Sequence, residues 1–209
     1  MRVQSLKTLL FSAILLTWAG SLAHAADDDA QWKALFNCLP QTQSVEATFE
    51  EWRYSLLRDR PSYLQGVLRF DQKIGVSLSY LKPSERTIII DENSVSLRNP
   101  EGETRTLPDN ERYNWIPYLI GTIFSFDLES WKGGFILKDY SVEGENWSAV
   151  IEPKQDTGRN RIREVTMTGD AVYVTAMEMR MKGGKRVKIE VASAEKNISF
   201  SEEAVKRYF

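Results

Sequence analysis

Residues 49–91 constrain the fold most strongly, because they read as a series of strands separated by turns. Between residues 74 and 80 the apolar side chains Ile74, Val76, Leu78 and Tyr80 alternate with a glycine and two serines. A period of two places the apolar residues on one face of a strand and the small ones on the other. Pro61 and Pro83 mark turns on either side. The segment predicts the wall of an antiparallel sheet that curves around an apolar interior.

Residues 135–192 continue the β pattern. The following segments have strand character: 135–142, 147–153, 161–168, 171–181 and 185–192. They are separated by EGEN, a polar loop, TGD and KGG, in which we expect glycines with left-handed backbone conformation to form hairpins. Together with strands in residues 43–57, 66–71, 74–80, 87–91 and 94–98, the count is ten or eleven. A sheet of that size must curl or close.

Helical patterns interrupt the strands at two places. Residues 30–38 place Trp32, Leu35 and Phe36 on one helical face. Residues 109–131 carry an apolar stripe at helical spacing, with Pro117 and Gly121 expected to kink or split it. This second stripe fits an ordinary core helix and equally an apolar lid over a cavity.

The first 25 residues have the pattern of a cleaved signal peptide. Arg2 and Lys7 precede an apolar run over residues 8–19, which is short for a membrane-spanning helix, and Ala23-His24-Ala25 forms a small-x-small cleavage site. We therefore expect a protein exported to the periplasm, without stable membrane insertion, that begins at Ala26. Residues 26–209 fit a single domain.

Composition excludes several classes of function. The signal segment contains two basic residues and no acid, so its removal changes the net charge from −2 to −4, which argues against nucleic-acid binding. The only histidine, His24, leaves with that segment, which removes histidine-based catalysis and metal ligation. Cys38 is the only cysteine; a buried apolar role is favoured over a nucleophilic one.

No catalytic motif is present in the sequence. It has no G-x-S-x-G elbow, P-loop or dinucleotide fingerprint, and the spacing of its carboxylates singles out no glycosidase pair. We expect no enzyme activity, no cofactor and no metal site.

An ordered set of motifs resembles the periplasmic outer-membrane lipoprotein carriers, the LolA-like family. The family pattern is F-x-E/Q-x-R/K, a proline turn, Q-G-x-L, an alternating strand, P-x-E, and an apolar run ending in Asp. The corresponding residues here are Phe49, Glu51, Arg53, Pro61, Gln65, Gly66, Leu68, Pro83, Glu85 and Ile88 to Asp91. The resemblance extends over residues 26–209 and identifies the chain as a divergent member.

The resemblance implies a mainly β fold with a few helices: an incomplete antiparallel β-barrel covered by a helical lid. Such barrels hold the acyl chains of a cargo in an apolar cavity and carry it across the periplasm without catalysis. Typical members have Arg-Pro after the Gly-x-Leu strand, and that Arg helps close the lid. Here Gln72 and Lys73 occupy these positions, so the latch is absent or Lys73 substitutes for it without the planar fork of Arg.

The candidate ligand-binding residues follow from strand parity and this resemblance, and ordinary core packing is the competing interpretation for each of them. The expected acyl-cavity residues are Leu68, Phe70, Val76, Leu78, Tyr80, Ile88, Ile90, Trp115, Leu119, Ile120, Phe124, Met177 and Met179. The expected headgroup or lid contacts are Trp52, Arg53, Gln72 and Lys73.

Three functions remain open at the level of sequence. The favoured one is a monomeric carrier or chaperone for an acylated cargo, a lipoprotein or another exported lipid such as a glycolipid, which receives it from an inner-membrane donor and passes it to an outer-membrane acceptor. The second is a lipid-sensing or regulatory half-barrel that binds a partner protein. The third is a β-scaffold with a packed interior and no ligand.

Overall fold

The computed structural model describes residues 30–37, 43–91, 94–108, 128–154, 162–170 and 174–209. Eleven strands in this part of the chain form one antiparallel sheet. The strands are β1 Ser44–Tyr54, β2 Ser62–Asp71, β3 Gly75–Lys82, β4 Arg86–Ile90, β5 Val95–Arg98, β6 Thr104–Thr106, β7 Phe135–Glu143, β8 Asn146–Pro153, β9 Ile162–Gly169, β10 Val174–Met181 and β11 Arg186–Lys196. The helices are α1, residues 30–37, α2 Leu128–Gly134 and α3 Glu202–Tyr208, with a 3-10 turn at Lys182–Gly184.

The sheet is open, with the order β6-β5-β4-β3-β2-β1-β11-β10-β9-β8-β7. The first strand, β1, pairs with the last, β11, at the centre of the sheet, and β6 and β7 form the two edges of the sheet. Register shifts between Thr48 and Phe49 and between Gln65 and Gly66 interrupt the ladders near the middle of the sheet. Such bulges increase the local twist of a strand. The predicted mainly β, incomplete barrel with a helical part is confirmed.

Register determines which side chains share a face of the sheet. Leu68 lies opposite Leu78, and Leu78 lies opposite Ile88 on the next strand. Paired residues in antiparallel strands point to the same side, so this face continues across β2, β3 and β4. We call it the inner face, because the buried apolar clusters of the protein lie on it.

Helices α1 and α2 cover one end of the inner face, next to β7–β9. Trp131 of α2 is completely buried and contacts Trp32 and Phe36 of α1 edge-to-face, with ring centroids 6.1 and 5.2 Å apart. The two helices thus bury their apolar faces together against the sheet. The amphipathic pattern predicted for α1 is confirmed over residues 30–37.

The C-terminal segment packs on the opposite, outer face. The guanidinium of Arg69 lies 3.6 Å from the ring centroid of Tyr208 in α3. Arg98 donates hydrogen bonds to the carbonyl oxygens of Arg207, at 2.6 Å, and Phe209, at 3.2 Å. Ser201 caps α3, its side chain accepting from the backbone N–H of Ala204 at 3.2 Å. These contacts fix the end of the chain against β2 and β5.

The structure differs from the sequence expectations in a few places. The second strand begins at Ser62, four residues earlier than predicted, and neither β6 nor α3 was expected. Gly144 and Gly183 have the left-handed conformation expected of their turns, with φ of 64° and 75°. Gly169 does not have the left-handed conformation expected of its turn. A Cβ there would lie 2.4 Å from the indole of Trp147, so this glycine leaves room for the Trp147 side chain.

Candidate functional site: the inner face of the sheet

The inner face presents an apolar surface that crosses nine neighbouring strands. Starting at β4, the register links Ile88 with Leu78, Leu68 and Ala47 in turn. It continues beyond β1 through residues of β11, β10, β9, β8 and β7. These residues are Val191, Ile189, Met177, Met167, Ala149, Ile151 and Leu137. Alternation along each strand therefore produces one apolar surface from segments that are far apart in sequence.

Seven predicted cavity residues come together on β2, β3 and β4. They are Leu68, Phe70, Val76, Leu78, Tyr80, Ile88 and Ile90. Phe70, Val76 and Ile90 are buried in one cluster, whereas Leu68, Leu78 and Ile88 are half-buried. Their common face agrees with the predicted parity, and their contact with a ligand stays a prediction.

Met177 and Met179 extend the same surface on the far side of β1. Met177 lies opposite Ile189 and Met167, and Met179 lies opposite Val187 and Val165. Both methionines are half-buried and pack against the cluster that contains Trp131. An unbranched thioether side chain adapts to irregular shapes, which suits a surface that accommodates variable apolar groups.

A polar cluster terminates the apolar surface at the C-terminal end of β1. The hydroxyl of Tyr80 donates a 2.8 Å hydrogen bond to Oε2 of Glu51, which is 3% exposed, and Nε of Arg53 donates to Oε1 of the same carboxylate. Nη2 of Arg53 also donates to the Tyr80 hydroxyl, at 3.2 Å. The guanidinium of Arg86 lies 4.8 Å from the Tyr80 ring centroid. With two guanidinium groups and one carboxylate, the cluster carries a net positive charge.

The electrostatics of this cluster appear in two pKa shifts. Burial, together with the charge of Glu51, raises the pKa of Tyr80 well above its ordinary value. Burial by itself lowers the pKa of Arg53, but the hydrogen bond and charge of Glu51 outweigh it, so the net shift is upward. Tyr80 therefore stays protonated and Arg53 stays charged at neutral pH.

The other predicted contacts are dispersed. Trp52 lies on the outer face, where its ring is 5.5 Å from that of Tyr63 and 5.6 Å from Nζ of Lys188. Gln72 and Lys73 are exposed in the turn between β2 and β3, at the end of the sheet away from Arg53. Of the four predicted headgroup or lid contacts, Arg53 is the one on the inner face. The predicted lid residues Trp115, Leu119, Ile120 and Phe124, like Cys38, lie outside the described residues.

Sequence reasoning did not single out several residues of the inner face. Phe49 packs edge-to-face on Tyr80, with centroids 5.6 Å apart, and Ile189 extends the apolar surface on β11. Strand parity could have found Ile189, which lies two positions from Val187 and Val191. Glu51 belongs to the family motif, but its burial was not predicted, because an acidic residue in an alternating strand resembles a solvated one.

The part of the chain that the structure describes contains neither a metal-binding cluster nor a membrane-spanning helix. In residues 30–37, 43–91, 94–108, 128–154, 162–170 and 174–209, no group of three or more His, Cys, Asp or Glu side chains could hold a metal ion. No helix of this part of the chain is both long and apolar enough to cross a membrane.

No model of a known protein family and no curated protein matches the chain. Among solved structures, it is similar to a domain from Vibrio parahaemolyticus named as an outer membrane lipoprotein-sorting protein: 9% identity, TM-score 0.49, covering 88% of this chain and 97% of that one. A DUF1329 family protein from Desulfovibrio piger has 8% identity and a TM-score of 0.48, over 85% and 95% of the two chains. A LolA superfamily protein from Nitrosomonas europaea has 7% identity and a TM-score of 0.47, over 84% and 96%. The identity of this chain with each of these three structures is below 10%.

Proposed function

We propose that this protein is a periplasmic carrier that holds the acyl chains of a lipoprotein or another exported lipid against the inner face of its sheet. The apolar surface that crosses the sheet from β4 at one end to β7 at the other carries the proposal. A packed scaffold would bury such a surface throughout, whereas Leu68, Leu78, Ile88, Met177 and Met179 are only half-buried. Large apolar surfaces that are incompletely covered are typical of ligand grooves and interaction sites.

Sequestration alone supplies the affinity that this function needs. Burying a methylene group contributes about 0.8 kcal/mol, so an acyl chain of ordinary length binds firmly without any catalytic group. Release then requires a partner or a conformational change that offsets this energy. We assign release to an outer-membrane acceptor and loading to an inner-membrane donor, with the carrier acting as a monomer in the periplasm.

The position of Arg53 supports a contact with the polar end of the cargo or with the lid. Its side chain lies on the inner face and is 41% exposed, and its guanidinium retains donors beyond those used by Glu51 and Tyr80. A guanidinium next to an apolar surface suits a headgroup whose tail occupies that surface. Gln72 and Lys73 lie at the other end of the sheet and are more suited to contacts with a segment that closes over it.

Two leucines of the same strand provide the test. Leu78 is half-buried on the inner face, and Leu81 is 52% exposed and outside the apolar clusters. We expect Leu78→Gln to weaken binding of a fluorescent fatty-acyl probe about tenfold or more, because it places a polar amide against the chain. Leu81→Gln is the matched control and should bind the probe like the unmodified protein. Thermal unfolding of both variants separates loss of binding from loss of fold.

The natural cargo is identified by native mass spectrometry of the protein purified from the periplasm, followed by lipid extraction. A co-purified acylated molecule that Leu78→Gln fails to retain supports the carrier function. Equal probe binding by the two leucine variants would contradict it. A protein that binds no acyl probe but binds a partner protein would instead support the regulatory half-barrel.

A further inference from the structure

One end of the sheet contains a second feature that the acyl surface does not explain. Here β1 and β10 end, β9 and β11 begin, and an open pocket of about 660 Å³ lies between them. We call it the rim pocket. Its lining includes Tyr54, Leu56, Arg163, Met181, Lys185 and Arg186.

The rim pocket has an excess of positive charge. Four cationic side chains line it, including that of Arg180, against two acidic ones. Both acids are already engaged: Glu164 pairs with Arg180 at 3.2 Å, and Glu152 pairs with Lys138 at 3.6 Å. The side chains of Arg163 and Lys185 form no ion pair or hydrogen bond with any other described residue. Two exposed cations therefore line the pocket without an ion-pair partner among the described residues.

The surrounding turns extend this positive region. Residues 55–61, between β1 and β2, contain Arg58 and Arg60 with one acid, Asp59, and residues 182–185, between β10 and β11, contain two lysines and no acid. The full chain has a net charge of −2, so the excess of positive charge at this end is local. Local concentration of one sign attracts ligands of the opposite sign.

Parts of the rim pocket are held in place by the fold. Arg186 lies 4.0 Å from the ring centroid of Tyr54, and its Nη1 donates to Glu178 at 3.4 Å. Gly184 has a φ of 70°, and a Cβ on it would lie 3.1 Å from Leu56. The glycine thus permits the turn and the close approach of the neighbouring loop. A cation with a fixed orientation loses less entropy when it binds an anion.

Met181 connects the rim pocket to the inner face. It lines the pocket and also packs against the apolar cluster that contains Trp131. A register shift between Arg180 and Met181 separates it from Met177 and Met179 in the ladder with β9. Met181 nevertheless contacts both the apolar cluster and the cationic pocket.

We propose that the rim pocket binds an anionic group, a phosphate or a carboxylate, at the polar end of an amphiphile whose acyl chain lies on the inner face. The acyl part of this proposal rests on the carrier function proposed above. Arg163 and Lys185 supply the unpaired charges, Arg186 supplies a fixed guanidinium, and Met181 marks the junction between head and tail. The planar guanidinium of arginine can donate two parallel charge-assisted hydrogen bonds to a pair of oxygens on either anion.

The test compares three soluble probes by titration calorimetry below their micellar concentrations: dodecyl phosphate, dodecyl maltoside and inorganic phosphate. The variant is Arg163→Gln/Lys185→Gln. Its control is Arg105→Gln/Lys206→Gln, which removes the same charges from exposed positions on β6 and α3. We expect the first variant to lose about tenfold in affinity for dodecyl phosphate, with no change for dodecyl maltoside. The control should behave like the unmodified protein, and thermal unfolding checks that both variants fold.

The three probes distinguish an anion that is part of a lipid headgroup from a free anion, and they test the role of the apolar surface separately. Dodecyl phosphate binding without inorganic phosphate binding supports a headgroup, whereas loss of inorganic phosphate binding in the first variant supports an anion site for free ligands as well. Equal loss for dodecyl phosphate and dodecyl maltoside, or no loss for either, would overturn the rim-pocket proposal. Failure of dodecyl maltoside to bind at all contradicts the carrier function instead, and leaves the inorganic phosphate arm to decide on the pocket.

Discussion

The hydroxyl of Tyr80 on β3 reaches past β2 to donate a 2.8 Å hydrogen bond to Glu51 on β1. The two residues are not on neighbouring strands, since β2 lies between them. The contact is possible because the intervening residue is Gly66, which the register places opposite both Phe49 and Tyr80. A glycine in the middle strand thus allows an aromatic ring and a buried carboxylate to meet on the inner face.

Removal of this hydrogen bond should destabilise the fold. Tyr80→Phe leaves one carboxylate oxygen of Glu51 without its donor in a buried position, so we expect a loss of about 1–3 kcal/mol in the free energy of unfolding. The matched control is Tyr63→Phe, because Tyr63 donates to Glu50 at 2.6 Å in the same type of pair on the exposed outer face. Urea denaturation of both variants measures the difference. Equal losses of unfolding free energy in the two variants would show that burial of the hydrogen bond between Tyr80 and Glu51 adds nothing to the stability of the fold.

The same pair predicts a dependence of stability on alkaline pH. The pKa of Tyr80 is raised in the folded state by burial and by Glu51, whereas a tyrosine in the unfolded chain titrates near about pH 10. Above that pH the unfolded state binds fewer protons than the folded state, so the free energy of unfolding falls as pH rises. The contribution is fully present below about pH 10. Denaturation between about pH 8 and 11 should show a steeper decline for the unmodified protein than for Tyr80→Phe. Parallel curves would exclude Tyr80 as the source.

Gly66 should not tolerate a side chain. A Cβ at this position would lie 2.5 Å from the carbonyl oxygen of Ser79 and 2.7 Å from Cζ of Phe49. We expect Gly66→Ala to destabilise the protein by about 1–3 kcal/mol through overpacking. Gly133→Ala in α2 is the control, because a Cβ there meets no atom within 4 Å. Thermal unfolding should show a lower midpoint for the first variant alone, and an unchanged midpoint would contradict the predicted clash.

Trp131 should be essential to the packing of the two helices on the sheet. Its side chain is fully buried between Trp32, Phe36 and Phe135, so Trp131→Ala should cost about 3–5 kcal/mol of unfolding free energy. Trp52→Ala removes the same side chain from a half-buried position on the outer face and should cost clearly less. Urea denaturation compares the two. In an acyl-probe assay Trp52→Ala should leave binding unchanged, and a loss there would place the ligand on the outer face.

Strand parity predicted much of the candidate site because a strand alternates with a period of two whatever its partners are. Parity alone could group Leu68 with Phe70 and Ile88 with Ile90, each pair on one face of its own strand. The family resemblance then predicted that these faces are the same one, before the sheet order was known. Parity also placed Met177 and Met179 together on β10. It could not predict that these methionines meet Ile189 on the last strand, since that contact depends on the pairing of β10 with β11 and of β11 with β1.

The headgroup predictions illustrate the limit of local patterns. Trp52 and Arg53 are consecutive in a strand, so they point to opposite faces and only one can contact the inner surface. Gln72 and Lys73 occupy the positions at which typical family members have the Arg-Pro of the lid latch. The register places their turn at the end of the sheet opposite Arg53. The role of these residues as contacts stays a prediction, with Arg53 in the most suitable position.

The sequence by itself determined the strand segments, the alternation of apolar and small side chains, and hence the face on which each residue of a strand lies. These properties follow from backbone geometry and hydrophobicity within a few residues. Only the tertiary structure decided that β1 and β11 pair at the centre of an open sheet, that Gly66 admits the contact between Tyr80 and Glu51, and that Arg163, Lys185 and Arg186 meet around one pocket. Such arrangements depend on which distant strands become neighbours, and that choice is made by the packing energy of the whole sheet.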